Sequence, residues 1–194
     1  AVEPRRGDLV VPFPELLGGG GVGGFAGRED ELASIAAAWS DVEGGERRVV
    51  LLAGEPGIGK TRLAAEAAAV ASAQGAVVLY GRCDEDLAVP FQPFAEALDH
   101  LTDRSSGGLI GHLGAHPAEL LRLAPRLADV VPGLAPPTSS DADTERYRLF
   151  EAVASMFDAI GGDAGAVLVI DDLHWASQPT LLLLRHLLRK APDV

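Results

Sequence analysis

Gly54-Glu55-Pro56-Gly57-Ile58-Gly59-Lys60-Thr61 matches the pattern G-x-x-x-x-G-K-[ST] without a gap. The run before it, Arg47-Arg48-Val49-Val50-Leu51-Leu52-Ala53, is short, apolar and β-branched, which predicts a buried strand. The run after it, Leu63 to Ala71, is dominated by alanine, the strongest helix former. Strand, glycine loop and helix in that order are the context that binding a polyphosphate requires.

The chemistry follows from the residue types. Backbone N–H groups converge on an anion only where the chain takes conformations that side chains resist, hence glycine at 54, 57 and 59. Glu55, Pro56 and Ile58 fill the loop between them, and Arg62 completes the phosphate-binding set. A helix beginning at Lys60 adds its positive end. The Lys60 ammonium would reach the β and γ phosphates as a point charge, and the Thr61 hydroxyl would ligate Mg²⁺. A chance match arises about one time in a hundred in an average chain of this length. The glycine-rich composition raises that figure, and the flanking strand and helix lower it.

The length of 194 residues suits one domain with a real core, and the apolar share of 47% marks it as globular. The net charge of -12 argues against direct binding to DNA, RNA or an anionic membrane. Cys83 is alone, so no internal disulfide forms, and a cytoplasmic location is expected. No apolar run approaches the length of a membrane span. The chain starts at Ala1 and reads as a piece of something longer.

Residues 1–24 carry Pro4, Pro12, Pro14 and the run Gly18 to Gly24, the composition of a flexible linker. Acidic residues at 29–31 suit a first helical turn, and Leu32, Ile35, Trp39 and Val42 then give one buried stripe, ended by Gly44-Gly45. Ala76 to Tyr80 predicts a second strand. Arg82 follows at its C-terminal end, where ligands sit in open α/β sheets. Arg82 there faces the nucleotide or pairs with Asp84 or Glu85. Cys83 reads as a small buried filler. A helix starts at Phe91–Pro93, and short helices are expected at Leu109–Leu113 and Pro117–Arg126. His100, His112 and His116 lack metal-ligand spacing. Asp143 or Thr144 is expected to cap a helix bearing Leu149, Phe150, Val153, Phe157 and Ile160 on one face.

Ala166-Val167-Leu168-Val169-Ile170-Asp171-Asp172 is an apolar strand ending in two acids. Carboxylates just past a buried strand are best explained at a polar site. Asp171 would hold Mg²⁺ through its water shell opposite Thr61, and Asp172 would polarise the attacking water. Lys60 and Asp172 are thus the catalytic candidates, and Thr61 and Asp171 the metal candidates. His174 senses the γ-phosphate, or caps the next helix or packs on Trp175. Ser177 caps a final helix whose buried stripe is Leu181, Leu184, Leu187 and Leu188.

These stretches carry a family likeness. The chain resembles the ATPase module of bacterial STAND-type signalling proteins, the AAA-like branch used by large LuxR-type transcriptional regulators and adenylyl-cyclase fusions. The matching stretches are Phe25-Ala26-Gly27-Arg28-Glu29 as an opening box, Gly54–Thr61 as Walker A, Gly81-Arg82-Cys83 with Pro90 to Phe94, and Ile170 to Ala176 as an extended Walker B. The resemblance covers about residues 25–194 and implies an α/β P-loop NTPase fold, a three-layer sandwich with a parallel sheet. It places Phe25, Gly27 and Arg28 beside the adenine. It implies binding of ATP and Mg²⁺, slow hydrolysis to ADP, and a switch that controls attached effector or DNA-binding domains, with nucleotide-dependent self-association. Related ATPases usually carry Glu where Asp172 stands, so fast hydrolysis is not expected. In the family another strand lies between the P-loop strand and the Walker B strand. It should begin where this chain reaches Ala191–Val194, so the ATPase domain 25–194 is expected to be incomplete at its C-terminus, marginally stable alone and slow to hydrolyse ATP.

The competing reading is a P-loop phosphotransferase acting on a small-molecule acceptor, for which Arg82, Arg146, Arg185 and Arg189 supply cations. A GTPase is disfavoured, since the chain contains no Asn and so lacks the guanine-reading Asn-Lys-x-Asp pattern. A dead P-loop serving only as an interaction module is the third reading.

Overall fold

The structure, a computed structural model, describes residues 9–18, 27–86, 89–105, 108–162 and 164–189. Two strands, β1 (Val77–Arg82) and β2 (Ala166–Asp171), pair in parallel, with Val77 opposite Ala166 and Arg82 opposite Asp171. Among the described residues the sheet has these two strands, and helices cover both of its faces. The architecture is α/β, as expected.

Side chains alternate along both strands, which splits the core in two. Val78, Tyr80, Val167 and Val169 face α3 (Lys60–Ala73), where Ala65 and Ala68 are buried. Those small residues let the helix lie close to the sheet. Leu79, Leu168 and Ile170 face the larger cluster, built from α4 (Gln92–Arg104), α7 (Ala142–Gly161) and α8 (Gln178–Arg189). Phe94, Ala97, Val153, Met156 and Leu183 have no exposed surface there. The first turn of α4 presses on β1 at Gly81, where a Cβ would lie 1.9 Å from the Pro93 carbonyl oxygen. Only glycine fits.

Several elements differ from the sequence reading. The run Arg47–Ala53 forms no ladder. Val49 is 54% and Leu51 74% exposed, so it is not the buried strand expected. An extended run is buried only when strands flank it, and here an apolar groove of about 240 Å³ separates it from β2. Helix α2 (Glu29–Glu43) forms as expected, but its stripe is half-buried: Ile35, Trp39 and Val42 line that same groove. Asp141, not Asp143 or Thr144, caps α7, accepting from the Thr144 amide at 3.0 Å and the Thr144 hydroxyl at 2.7 Å. The expected helix over Pro117–Arg126 is shorter: α5 spans Pro117–Leu120, turns follow, and α6 (Leu127–Val130) begins after Pro125. The buried face of α8 centres on Thr180 and Leu183, whereas Leu181 and Leu188 are exposed.

The described part of the stretch read as a linker is packed. Short helix α1 (Glu15–Gly18) buries Leu17 beside Ala65, Ala68, Val78 and Tyr80. His100 Nε2 contacts the Pro12 carbonyl at 2.9 Å, and Arg104 donates to Glu15 at 3.0 Å. No helix among the described residues is long and apolar enough to cross a membrane.

Candidate nucleotide site

The glycine loop and the C-terminal end of β2 meet at one cavity of about 470 Å³. Gly57 (φ 78°) and Gly59 (φ 94°) hold left-handed conformations, and Gly59 sits immediately before α3. A side chain at either position would strain the loop. The geometry is the one the sequence pattern requires, with a long helix opening directly on the loop.

Lys60 folds back over the loop, donating to the carbonyls of Gly54 at 3.1 Å and Glu55 at 3.0 Å. Those carbonyls hold the ammonium at the cavity wall, where an anion can compete for it. The Thr61 hydroxyl donates to Asp171 Oδ2 at 2.8 Å. Asp171 Oδ1 accepts from the Asp172 amide at 2.9 Å, which fixes the carboxylate plane. Tyr80 adds a longer contact to Oδ2 at 3.4 Å. Burial, and then the Asp171 charge, push the Tyr80 phenol up to about 12, so it stays protonated and donates.

The donor set suits Mg²⁺. It offers one hydroxyl and one carboxylate oxygen, both hard ligands, with the phosphates and waters of a bound nucleotide left to complete the shell. Among the described residues no group of three His, Cys, Asp or Glu forms an all-protein metal cage, and such a site needs none.

Asp172 lies at the cavity wall in a left-handed conformation, φ 52°. Its carboxylate takes both Arg82 Nε at 2.9 Å and the Arg82 Nη2 at 2.8 Å. Arg82 therefore pairs with neither Asp84 nor Glu85 as the sequence had offered. The Asp172 hydrogen bond and charge hold its guanidinium pKa above the usual value. The Arg82 amide is also bound, by Glu96 Oε2 at 2.8 Å.

Arg28 reaches the loop, its guanidinium donating to the Ile58 carbonyl at 3.1 Å and to Glu31 at 3.0 Å. Gly27 donates its amide to Glu29 at 3.2 Å. Phe25 lies outside the described residues. Arg62 turns along the helix to Glu66 at 2.7 Å. His174 lines the cavity and its ring also stacks against Trp175 at 4.8 Å, so the packing role is present. Ser177 Oγ meets Thr180 Oγ1 at 2.9 Å.

Two contributors went unread in the sequence. Thr180, 1% exposed, accepts from the Phe91 amide at 2.9 Å. It holds Phe91, which takes a left-handed conformation, and ties the first turn of α8 to the start of α4. In the sequence Tyr80 reads only as a strand residue; the strand period that puts it on the Asp171 side is the available signal.

A family model described as "AAA ATPase domain" matches residues 24–193. An uncharacterized protein of Rhizobium meliloti (strain 1021) is 27% identical over 166 residues, which is 79% of this chain and 16% of the relative. This chain thus spans about a sixth of the length of that curated relative. No solved structure matches. The family implies nucleotide binding, usually with Mg²⁺. A match running from ahead of α2 to beyond α8 takes in both strands and the glycine loop between its two ends, and on that ground the chain belongs to the AAA ATPase domain family.

Proposed function

We propose that this chain is an ATP- and Mg²⁺-binding switch module of a larger STAND-type signalling or transcriptional regulator, with slow ATP hydrolysis. The observation that carries the reading is the 2.8 Å approach of Thr61 to Asp171 beside Lys60 at the mouth of the glycine loop. In this reading the loop amides and Lys60 bind the phosphates, and Thr61 and Asp171 hold the metal ion that screens their charge. Asp172 orients water. Two features favour slow turnover: Asp is one methylene shorter than Glu, and its carboxylate is occupied by Arg82. The small share of the Rhizobium relative that aligns supports a module within a longer regulator, with effector or DNA-binding parts elsewhere. The same reading places the full three-layer parallel sheet around the groove beside Val50 and Val167, which would receive a further strand.

Titration with a fluorescent ATP analogue in Mg²⁺ tests it. Wild type should bind saturably, and Lys60→Ala should lose at least about ten-fold in affinity. Phosphate should appear slowly in water with no phosphorylated acceptor, which separates a switch from a phosphotransferase. A wild-type chain indifferent to ATP would end the proposal.

A further inference from the structure

Away from the nucleotide site, a second cavity of about 500 Å³ opens between α5, the 132–138 loop and α7. Its walls include Ile110, Pro117, Pro132 and Leu134, with Arg148 and His116 as the basic groups. Ile110 is 56% exposed, an apolar surface that solvent does not favour. The volume lies within the range of about 300–1,000 Å³ usual for small-molecule sites.

Arg148 is the informative residue. Arg28, Arg47, Arg48, Arg62, Arg82, Arg104, Arg122, Arg126 and Arg146 all have acidic partners. Among the described residues Arg148, Arg185 and Arg189 have no ion pair, and Arg185 and Arg189 are exposed on α8, where water solvates them. Arg148 is half-buried and lines the cavity with no hydrogen-bond partner among the described residues. A half-buried guanidinium at a cavity wall keeps its fork of N–H donors available to an anionic partner.

The neighbouring acids do not supply it. Arg122 takes Glu119 at 2.9 Å, Glu145 at 3.1 Å and the Thr138 carbonyl at 3.1 Å. That one side chain consumes both carboxylates and ties the 132–138 loop to α5 and α7. The wall behind is firm as well. Leu113, Leu120 and Leu127 are buried, and the Ala115 amide donates to Ser155 on α7 at 2.6 Å. The cavity is thus preformed, with one unspent guanidinium fork set among aliphatic and proline side chains.

We infer that this cavity binds a small amphiphilic monocarboxylate, its anionic group paired with Arg148 and its apolar body against Ile110, Pro117 and Leu134. A carboxylate matches the planar fork in a bidentate way. One unspent guanidinium favours a single negative charge, and a net charge of -12 disfavours polyanions further. The inference is independent of the nucleotide reading.

Octanoate and 3-phenylpropionate serve as probes, followed through the methyl NMR signals of Ile110 and Leu134 in the Lys60→Ala chain, where the glycine loop is disabled. At least one acid should shift those signals saturably with a dissociation constant of about millimolar or tighter. The matching alcohol should bind at least about ten-fold more weakly, as should Arg148→Gln, while Arg185→Gln binds like the parent. Arg148→Gln should melt at the parent temperature, and Arg148→Lys should restore part of the affinity if Gln perturbs the fold. The inference is overturned if neither acid gives a saturable shift up to about 10 mM, if the alcohol binds equally well, or if a folded Arg148→Gln binds like the parent.

Discussion

Thr61 donates its hydroxyl to Asp171 Oδ2 at 2.8 Å although 110 residues separate the two in the chain. The pair joins the first turn of α3 to the end of β2, so the glycine loop and the second strand share one oxygen-lined corner. Were Mg²⁺ held there, the neutral Thr61 hydroxyl would turn its lone pairs to the ion and the Asp171 carboxylate would supply the balancing negative charge. Asp171→Asn removes the charge and keeps the shape. The expected outcome is a loss of about ten- to a hundred-fold in the Mg²⁺ dependence of nucleotide binding, with the melting temperature little changed. Titrating Mg²⁺ at fixed nucleotide measures it. Unchanged Mg²⁺ dependence would remove Asp171 from the site.

Arg82 occupies the Asp172 carboxylate from across the parallel ladder, next to the register pair Arg82–Asp171. With 62% of its side chain exposed, the arginine adds little to stability through this pair. Its effect is on what Asp172 is free to do. Arg82→Ala should leave the fold intact and raise phosphate release several-fold, and Asp172→Asn should abolish release in either background. Phosphate assays on the four combinations form a double-mutant cycle. Additive effects would show that the ion pair has no part in turnover.

The pairings above mark the boundary of what the sequence makes legible. The glycine loop was readable because its backbone demands specific residues at fixed spacing, and β1 and β2 because apolar runs bounded by turns carry their own signature. The burial of Arg47–Ala53 was not, because it depends on which strands flank the run, and composition does not encode a neighbour. The four successive leucines at 181–184 hide the phase of α8, and only packing against α7 selects Thr180 and Leu183 as the inward face. Arg82 had two acids within three residues, yet pairs with one 90 residues away, since strand pairing brings Asp172 closer than the chain does. Thr180 carries no motif at all; its role exists only because Phe91 needs an acceptor.

Cys83 tests the interior next to that site. It is 3% exposed, and burial, then the nearby Glu96, Asp172 and Asp171 charges, push its thiol up to about 11. Reagents attack the thiolate, so at neutral pH the native protein should react with a disulfide reagent far more slowly than the denatured chain. Absorbance of the released thiol reads the two rates. Equal rates would mean that β1 opens readily at its C-terminal end.

Asp141 gives the fold an acid-sensitive cap. The Thr144 amide, and after it the Thr144 hydroxyl, hold the Asp141 carboxyl below its usual range. A group whose folded pKa is depressed contributes stability above its unfolded value, near about 3.9, and loses it as pH falls through the folded value. Asn at this position caps without titrating. The melting temperature of the wild type should therefore fall more steeply below about pH 4 than that of Asp141→Asn, and the two should converge in slope near neutrality. Parallel curves throughout would show that the cap's charge is irrelevant.

Stability as a whole turns on the unpaired run. Val49, Val50 and Leu51 expose apolar side chains, and the groove behind them leaves the α3 side of β2 partly open. Two strands with one such open flank bury less than a complete sheet, and an unpaired extended run offers N–H and C=O groups to any other chain. The chain should melt at modest temperature over a broad range and associate as concentration rises. Leu51, at 74% exposure, is the side chain whose replacement disturbs the interior least. Leu51→Lys should suppress association without lowering the monomer's melting temperature, because a charge at an exposed strand edge repels pairing while the core clusters around Leu79 and Val78 stay as they are. Light scattering during a thermal ramp, run at several concentrations, separates the two effects. A sharp, concentration-independent transition at high temperature in the wild type would show that the open flank is not a weak point.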